Sequence, residues 1–142
     1  MTAPAEISIR SFREPDRAQL GLLWARVFPD DAPRNAPDRM IDGSRKVHRE
    51  LLFVAEHADE IAGAVIAGFD GVRGWIYHLA VAAEHRRRGI ATALMRAEEG
   101  LHRVGCLKIN LPARTSNSNV VAFYRAIGYQ VEDRISMGRA LD

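Results

Sequence analysis

The stretch from residue 50 to residue 81 most constrains the fold, because it contains three apolar runs separated by two turn signals. The segment "HADE" at residues 57–60 separates the first two runs, and Asp70-Gly71 lies between the second and the third. Short polar turns between β-prone runs are typical of antiparallel hairpins. We therefore predict a three-stranded antiparallel meander over this stretch.

After Gly89 the spacing of the apolar residues changes from that of a strand to that of a helix. The apolar positions that define this helical stripe are Ile90, Leu94, Ala97, Leu101 and Val104. Gly105 suits the end of the helix, and "CLKINLPA" at residues 106–113 predicts a fifth strand. Two strands joined through a helix lie parallel in a right-handed crossover. The meander should therefore continue into one parallel pair.

The flanking segments complete an α/β order. Residues 6–12 predict a first strand, residues 14–28 a helix with one apolar face, and residues 38–49 a short second helix. Residues 118–127 predict another helix, and residues 129–141 one or two closing strands. The fold class is therefore α/β, with a mixed, mostly antiparallel central sheet of six to seven strands. About four helices should pack on both of its faces.

Composition places the chain among ordinary globular proteins. Its 142 residues are 47% hydrophobic and 27% charged, which fits one domain over residues 1–142. No apolar run approaches the roughly 20 residues of a membrane span, and the first ten residues lack a signal-peptide pattern. We expect a soluble, cytoplasmic protein with no membrane partner.

Cysteine, histidine and net charge bear on the type of chemistry. The single cysteine, Cys106, excludes an intramolecular disulfide and is expected to be a buried thiol. The five histidines lack metal-ligand spacing, so we expect no metal. A net charge of +2 with 7% aromatic residues argues against a nucleic-acid partner.

Four consecutive basic residues, from His85 to Arg88, precede Gly89 and the start of the predicted helix. A helix start already carries partial positive charge and unpaired N–H groups, so the cluster is electrostatically favourable only with an anion nearby. Gly89 would let the backbone approach a phosphate, and the small Ala91 would keep that approach open. The alternative is a solvated basic loop before an ordinary amphipathic helix. The turn matches neither a P-loop nor a dinucleotide-binding glycine motif.

The segment "RRRGIA" resembles the R/Q-x-x-G-x-G/A signature of the GNAT superfamily of N-acetyltransferases. It follows "YHLAV", which resembles the fourth strand of that family. A second segment, "SNSNVVAFYRAIGY", is similar to the family's N-x-x-x-x-x-x-Y-x-x-x-G-Y/F element. The matching positions are Arg86, Gly89, Ala91, Asn117, Tyr124, Gly128 and Tyr129. The resemblance covers residues 7–141, and "GFDGVRGW", "GCLKINL" and "SMGRAL" look closest to a small YpeA-like group.

The resemblance implies acetyl-CoA as co-substrate and an amine as acceptor. Backbone amides of about Arg87 to Thr92 would bind the pyrophosphate. Leu79 and Val81 would pair like a strand with the pantetheine arm, and Asn117 would contact that arm. The implied binding residues are Leu79, Ala80, Val81, Arg86, Arg87, Arg88, Gly89, Ile90, Ala91, Thr92, Asn117 and Tyr124. Family sheets also splay between the fourth and fifth strands, which leaves an opening for the thioester. The sequence leaves the oligomeric state open, with a homodimer as one alternative.

The resemblance assigns two catalytic groups and leaves the base open. It implies that Tyr124 protonates the leaving thiolate and that the Leu79 amide stabilises the oxyanion, although Tyr124 also fits a packing role on an apolar helix face. Many family members use a glutamate on the fourth strand, where this chain has no carboxylate. His78 is the nearest titratable group there, and Glu56, Tyr77 or a water chain are the alternatives. His78 could equally be a core residue.

The acceptor side is expected between residues 24 and 45. Four aspartates in this region could attract a cationic amine or could belong to a solvated loop: Asp30, Asp31, Asp38 and Asp42. The sequence does not separate a protein amine from a small-molecule amine. The main alternative to an enzyme is a non-catalytic acyl-CoA-binding regulatory module of the same fold.

Overall fold

The computed structural model describes residues 6–142 and divides into two units. A five-stranded mixed sheet lies in the first unit. The first unit extends to Asn110 and the second is Leu111–Asp142. The strands are β1 (Ile7–Ser11), β2 (Leu52–His57), β3 (Glu60–Phe69), β4 (Gly74–Val81) and β5 (Ile109–Asn110). The helices are α1 (Arg17–Val27), α2 (Pro37–Val47), α3 (Ile90–Leu94), α4 (Ala97–Arg103) and α5 (Ser118–Ala126).

The sheet follows chain order, β1-β2-β3-β4-β5. The first four strands pair antiparallel, which confirms the predicted meander. β4 and β5 pair parallel, with Gly74 opposite Ile109 and Trp75 opposite Asn110. This confirms the predicted parallel pair and the α/β fold class.

Helices cover both faces of the sheet. On one face α1 and α2 bury Leu20, Trp24 and Ile41 against residues of β2, β3 and β4. On the other face, α3 approaches β3 so closely that a Cβ at Gly63 would lie 3.0 Å from Leu94 Cδ1. Residues 62–67 of β3 are therefore all buried, as expected for a central strand covered on both faces.

The sheet has fewer strands than the six to seven predicted. Within residues 6–142 no strand forms over 129–141, where Val131, Ile135 and Met137 are exposed. Apolar alternation alone does not make a strand, and Asp133 and Gly138 interrupt the pattern with residues that disfavour strands. β5 is also shorter than the predicted run of residues 106–113. Pro112 has no N–H to donate and restricts the residue before it, which ends the ladder early.

The helix predicted after Gly89 is divided into α3 and α4. The Met95 amide is shared between the carbonyls of Ala91 and Thr92, each at 3.2 Å, and the Arg96 amide donates to Ala93 at 3.1 Å. These i→i−3 bonds tighten the chain between the two helices. The predicted stripe nevertheless faces the core, because Ile90, Leu94, Ala97 and Leu101 are all buried. None of the helices described over residues 6–142 is long and apolar enough to cross a membrane.

Candidate active site

A β-bulge interrupts β4 at His78 and Leu79. Ala64 pairs with Ala80 and Ile66 pairs with Tyr77, so two residues of β4 lie opposite the single residue Val65. His78 has a φ of 50°, a left-handed conformation that few non-glycine residues adopt. Bulges re-aim side chains and are frequent next to active sites. This bulge is not predictable from the local sequence, because no glycine marks it.

The bulge directs the His78 ring against α1 and the loop that follows it. The ring lies 5.7 Å from the Trp24 ring, edge to face, and 4.7 Å from the Phe28 ring, between centroids. Its Nε2 atom lies 2.8 Å from Asp31 Oδ2. The His78 side chain keeps 16% of its surface exposed, and that of Asp31 keeps 30%. His78 is therefore half-buried and bonded to a carboxylate, rather than fully buried in the core.

The loop itself fixes the Asp31 carboxylate. Oδ1 accepts hydrogen bonds from Asn35 Nδ2 at 2.8 Å and from the Ala32 amide at 3.2 Å, which leaves Oδ2 for His78. Burial raises the pKa of Asp31, but the hydrogen bonds from Asn35 and His78 outweigh it, so the pKa lies below its usual value. The carboxylate is thus charged at neutral pH.

The arginine turn follows β4 and leads into α3. Arg87 has a φ of 65° and Gly89 a φ of 75°, and such left-handed positions can turn successive amides toward one point, as in anion-binding nests. A Cβ added at Gly89 would meet nothing within 4 Å, so the space beside it is open. The first bond inside the helix is donated by the Ala93 amide to the Gly89 carbonyl, at 3.0 Å. The amides before Ala93 therefore have no acceptor within α3.

The side chains of the turn divide into an exposed and a buried set. Arg86, Arg87 and Arg88 are exposed, whereas His85 is buried and packs edge to face on His57 at 5.1 Å between ring centroids. Arg88 Nη1 lies 3.4 Å from His57 Nε2. The exposed cationic surface therefore consists of the three arginines, without His85.

β4 pairs with β5 only at its beginning. The parallel pairing covers Gly74 and Trp75, so in the first unit the segment from Ile76 to Val81 has no partner in β5 on that edge. Backbone groups at an unpaired strand edge can accept an extended ligand as an added strand. Leu79, Ala80 and Val81, which the family resemblance implies as cofactor-binding residues, lie in this segment.

The two alternative base residues have different surroundings. Glu56 accepts a hydrogen bond from Arg10 Nη2 at 2.7 Å, and Arg10 also binds the buried Asp16. One carboxylate oxygen of Glu56 is therefore engaged in an ion pair. Burial and the charge of Asp70 raise the pKa of Tyr77, so its phenolate is scarce at neutral pH.

The second unit holds the predicted residues Asn117 and Tyr124 on α5. The Asn117 side-chain oxygen accepts a hydrogen bond from the Val120 amide at 3.2 Å and so caps the helix. A contact between Asn117 and a substrate would therefore use its amide nitrogen. Tyr124 is 8% exposed and packs edge to face against Phe123 and Tyr129. Burial raises the pKa of Tyr124 to about 12, so its hydroxyl is protonated at neutral pH.

Three of the four predicted acidic residues of the acceptor side bind a basic or imidazole side chain, and the fourth, Asp30, is exposed. Asp38 and Asp42 bind Arg17 at 2.9 and 2.7 Å, whereas Asp31 binds His78, 47 positions away in the sequence. No local pattern announces a contact over that separation, so sequence reasoning missed it. Within residues 6–142, no group of three histidine, cysteine, aspartate or glutamate side chains is arranged to hold a metal ion.

The sequence matches the model of the Acetyltransferase (GNAT) family over residues 17–129. Acetyltransferase SG1711 of Sodalis glossinidius is 39% identical over 132 residues, which cover 91% of each chain. Acetyltransferase YE1169 of Yersinia enterocolitica is 37% identical over 138 residues, which cover 95% of this chain and 96% of the relative.

Solved structures show the same fold at low sequence identity. The aminoglycoside N-acetyltransferase AAC(6')-Iy in complex with CoA matches 100% of this chain and 99% of its own, with a TM-score of 0.79 and 15% identity. Ard1 from Thermoplasma volcanium matches 89% of this chain and 84% of its own, with a TM-score of 0.76 and 23% identity. The family match, the two full-length relatives and the bulged strand before an arginine turn lead to one conclusion: the chain belongs to the GNAT family of acetyltransferases.

Proposed function

We propose that this acetyltransferase moves the acetyl group of acetyl-CoA directly to a primary amine, with residues 1–142 acting as a single acetyltransferase domain. The observation that carries the proposal is the continuity of three features along β4 and α3. The bulge at His78 and Leu79 is followed by an unpaired strand edge and then by the arginine turn. A long ligand with an anionic end and an extended arm fits this order, and one structural neighbour was solved in complex with CoA.

Each part of the proposed site has one task in binding acetyl-CoA. Arg86, Arg87 and Arg88 supply positive charge, and the amides from Gly89 to Thr92 donate hydrogen bonds to the pyrophosphate. The edge of β4 from Leu79 to Val81 pairs with the pantetheine arm. Asn117 donates to the same arm through its amide nitrogen.

The chemical steps need a base, an oxyanion donor and an acid. His78 takes one proton from the acceptor ammonium and later releases it to solvent. The neutral amine attacks the thioester carbonyl, and the Leu79 amide donates a hydrogen bond to the oxygen that becomes negative. As the C–S bond breaks, Tyr124 gives its proton to the thiolate, and the second amine proton restores the phenol. The products are the N-acetylated amine, CoA-SH and one proton.

Release of CoA, followed with a thiol reagent over a panel of amines, tests this proposal. The panel covers aminoglycosides, polyamines, free lysine and peptides with a free N-terminus, and mass spectrometry identifies the acetylated product. We expect release that depends on acetyl-CoA and on at least one amine. Binding of acetyl-CoA without amine-dependent release of CoA across the panel would contradict the proposed reaction and favour a non-catalytic acyl-CoA-binding role.

A further inference from the structure

We propose that Asp31 is a positioning residue for catalysis: it holds the His78 imidazole in the tautomer that leaves Nδ1 free to accept the ammonium proton. This inference rests on the proposed function, in which His78 is the base. The observation that carries it is the 2.8 Å contact between His78 Nε2 and Asp31 Oδ2. That distance is typical of a charge-assisted hydrogen bond.

The contact determines which ring nitrogen carries the proton. A charged carboxylate only accepts hydrogen bonds, so Nε2 must be the donor and carry hydrogen. In the neutral imidazole the lone pair then lies on Nδ1. The His78 side chain keeps 16% of its surface exposed, so the ring is not sealed from solvent. In this tautomer Nδ1 is the ring nitrogen that can accept a proton.

The surroundings hold the pair in one arrangement. Asn35 and the Ala32 amide fix the other carboxylate oxygen, and the Asp31 amide bonds to the Phe28 carbonyl at 3.3 Å. Trp24 and Phe28 line the ring with uncharged surface. Asp31 is the carboxylate that bonds to the ring. The carboxylate also stabilises the imidazolium that forms when Nδ1 takes the proton.

The left-handed backbone at His78 supports a functional reading of this contact. A φ of 50° costs free energy for a residue with a side chain, and it persists only where surrounding interactions hold the backbone in that conformation. Here it turns the ring toward Asp31 directly beside Leu79, whose amide is the proposed oxyanion donor. A proton acceptor and an oxyanion donor would then be adjacent along one strand.

The test compares Asp31→Asn with Asp59→Asn, an exposed aspartate in the turn between β2 and β3, in the wild-type and His78→Gln backgrounds. Asparagine can donate to Nε2 and so allows the opposite tautomer. We expect Asp31→Asn to lower kcat/KM on the order of 10- to 10³-fold. The melting shift with acetyl-CoA should not change, and Asp59→Asn should behave as wild type. In the His78→Gln background, Asp31→Asn should have no further effect on turnover.

Two results would overturn the inference while leaving the proposed function in place. One is an equal loss from Asp31→Asn in both backgrounds, which would indicate a structural role. The other is the tautomer of the His78 ring in the wild-type protein. Long-range ¹H–¹⁵N correlation spectra, assigned with His78→Gln, should show hydrogen on Nε2 of the neutral ring, and a neutral ring with hydrogen on Nδ1 would contradict the proposal. Absence of turnover in the wild type with every amine would count instead against the proposed function.

Discussion

Tyr124 is the residue at which a packing role and a catalytic role give opposite results in one variant. Tyr124→Phe keeps the ring against Phe123 and Tyr129 and removes only the hydroxyl. If the hydroxyl protonates the thiolate, kcat should fall on the order of 10²- to 10⁴-fold, with little change in acetyl-CoA affinity. Because its pKa is about 12, the acid form persists through neutral pH. An alkaline loss of activity well below that value should therefore have another origin.

The measurement is steady-state turnover under conditions where chemistry limits the rate, alongside thermal unfolding. A packing tyrosine would show near-normal turnover and about 1 kcal/mol less stability if its hydroxyl had a buried partner. Near-normal kcat in a stable Tyr124→Phe protein would rule out the general-acid assignment. The proposed acetyl-CoA site would not be affected by that result.

Individual residues also show where sequence reasoning stops. His78 could be named as a candidate base from the sequence, because its strand has no carboxylate and an imidazole is the nearest titratable group. The orientation of its ring, however, depends on a bulge that no glycine marks. Its partner Asp31 is one of four aspartates that are indistinguishable by local sequence. The contact exists because the fold brings the loop after α1 beside β4. Motif positions are readable from the chain, whereas pairings across 47 residues require the tertiary structure.

At the scale of elements, the close packing of α3 on β3 sets the position of the arginine turn. A Cβ at Gly63 would lie 2.9 Å from the Ala80 carbonyl oxygen and 3.1 Å from Ile90 Cγ2. We expect Gly63→Ala to lower the free energy of unfolding by about 1–3 kcal/mol through overpacking. It should also weaken acetyl-CoA binding, because relief of the clash moves the start of α3.

Gly43→Ala is the matched control for this substitution. Gly43 lies inside α2, and a Cβ there would meet nothing within 4 Å. Alanine should therefore stabilise the helix by about 0.5–1 kcal/mol. Urea unfolding measures the free energy of unfolding of both variants, and an unchanged m value shows that the values can be compared directly. Equal stability of Gly63→Ala and Gly43→Ala would contradict the prediction, because it would mean that a Cβ at Gly63 fits between α3 and β3 without strain.

Elements with strong periodicity were predictable, and those defined by pairing were not. The meander, α1, α2 and α5 follow from local patterns, and the parallel β4–β5 pair follows from the crossover rule. The lengths of strands depend on partners elsewhere in the chain. Residues 129–141 alternate like a strand but form none, and β5 contains only two paired residues.

For the whole molecule, the charge distribution matters more than the net charge of +2. Three exposed arginines at one turn form a local cationic surface in a nearly neutral chain, which suits a polyanionic ligand. A ligand that binds only the folded state stabilises it by mass action, by about 2.7 kcal/mol at a concentration 100 times Kd. Acetyl-CoA at that level should raise the Tm by about 10 °C for a chain of this size.

Charge reversal at the turn tests whether this stabilisation arises there. Arg86→Glu with Arg88→Glu should reduce the acetyl-CoA stabilisation to about 1 kcal/mol or less, since a loss of affinity of about 100-fold removes most of the mass-action term. Arg39→Glu with Arg49→Glu changes net charge equally at two exposed sites outside the turn and should keep the full shift. Thermal unfolding with and without acetyl-CoA measures all three proteins. An undiminished shift in the turn variant would contradict binding of the pyrophosphate at this turn. An equal loss in the control pair would contradict it as well, because a site built on this turn responds to local charge rather than to net charge.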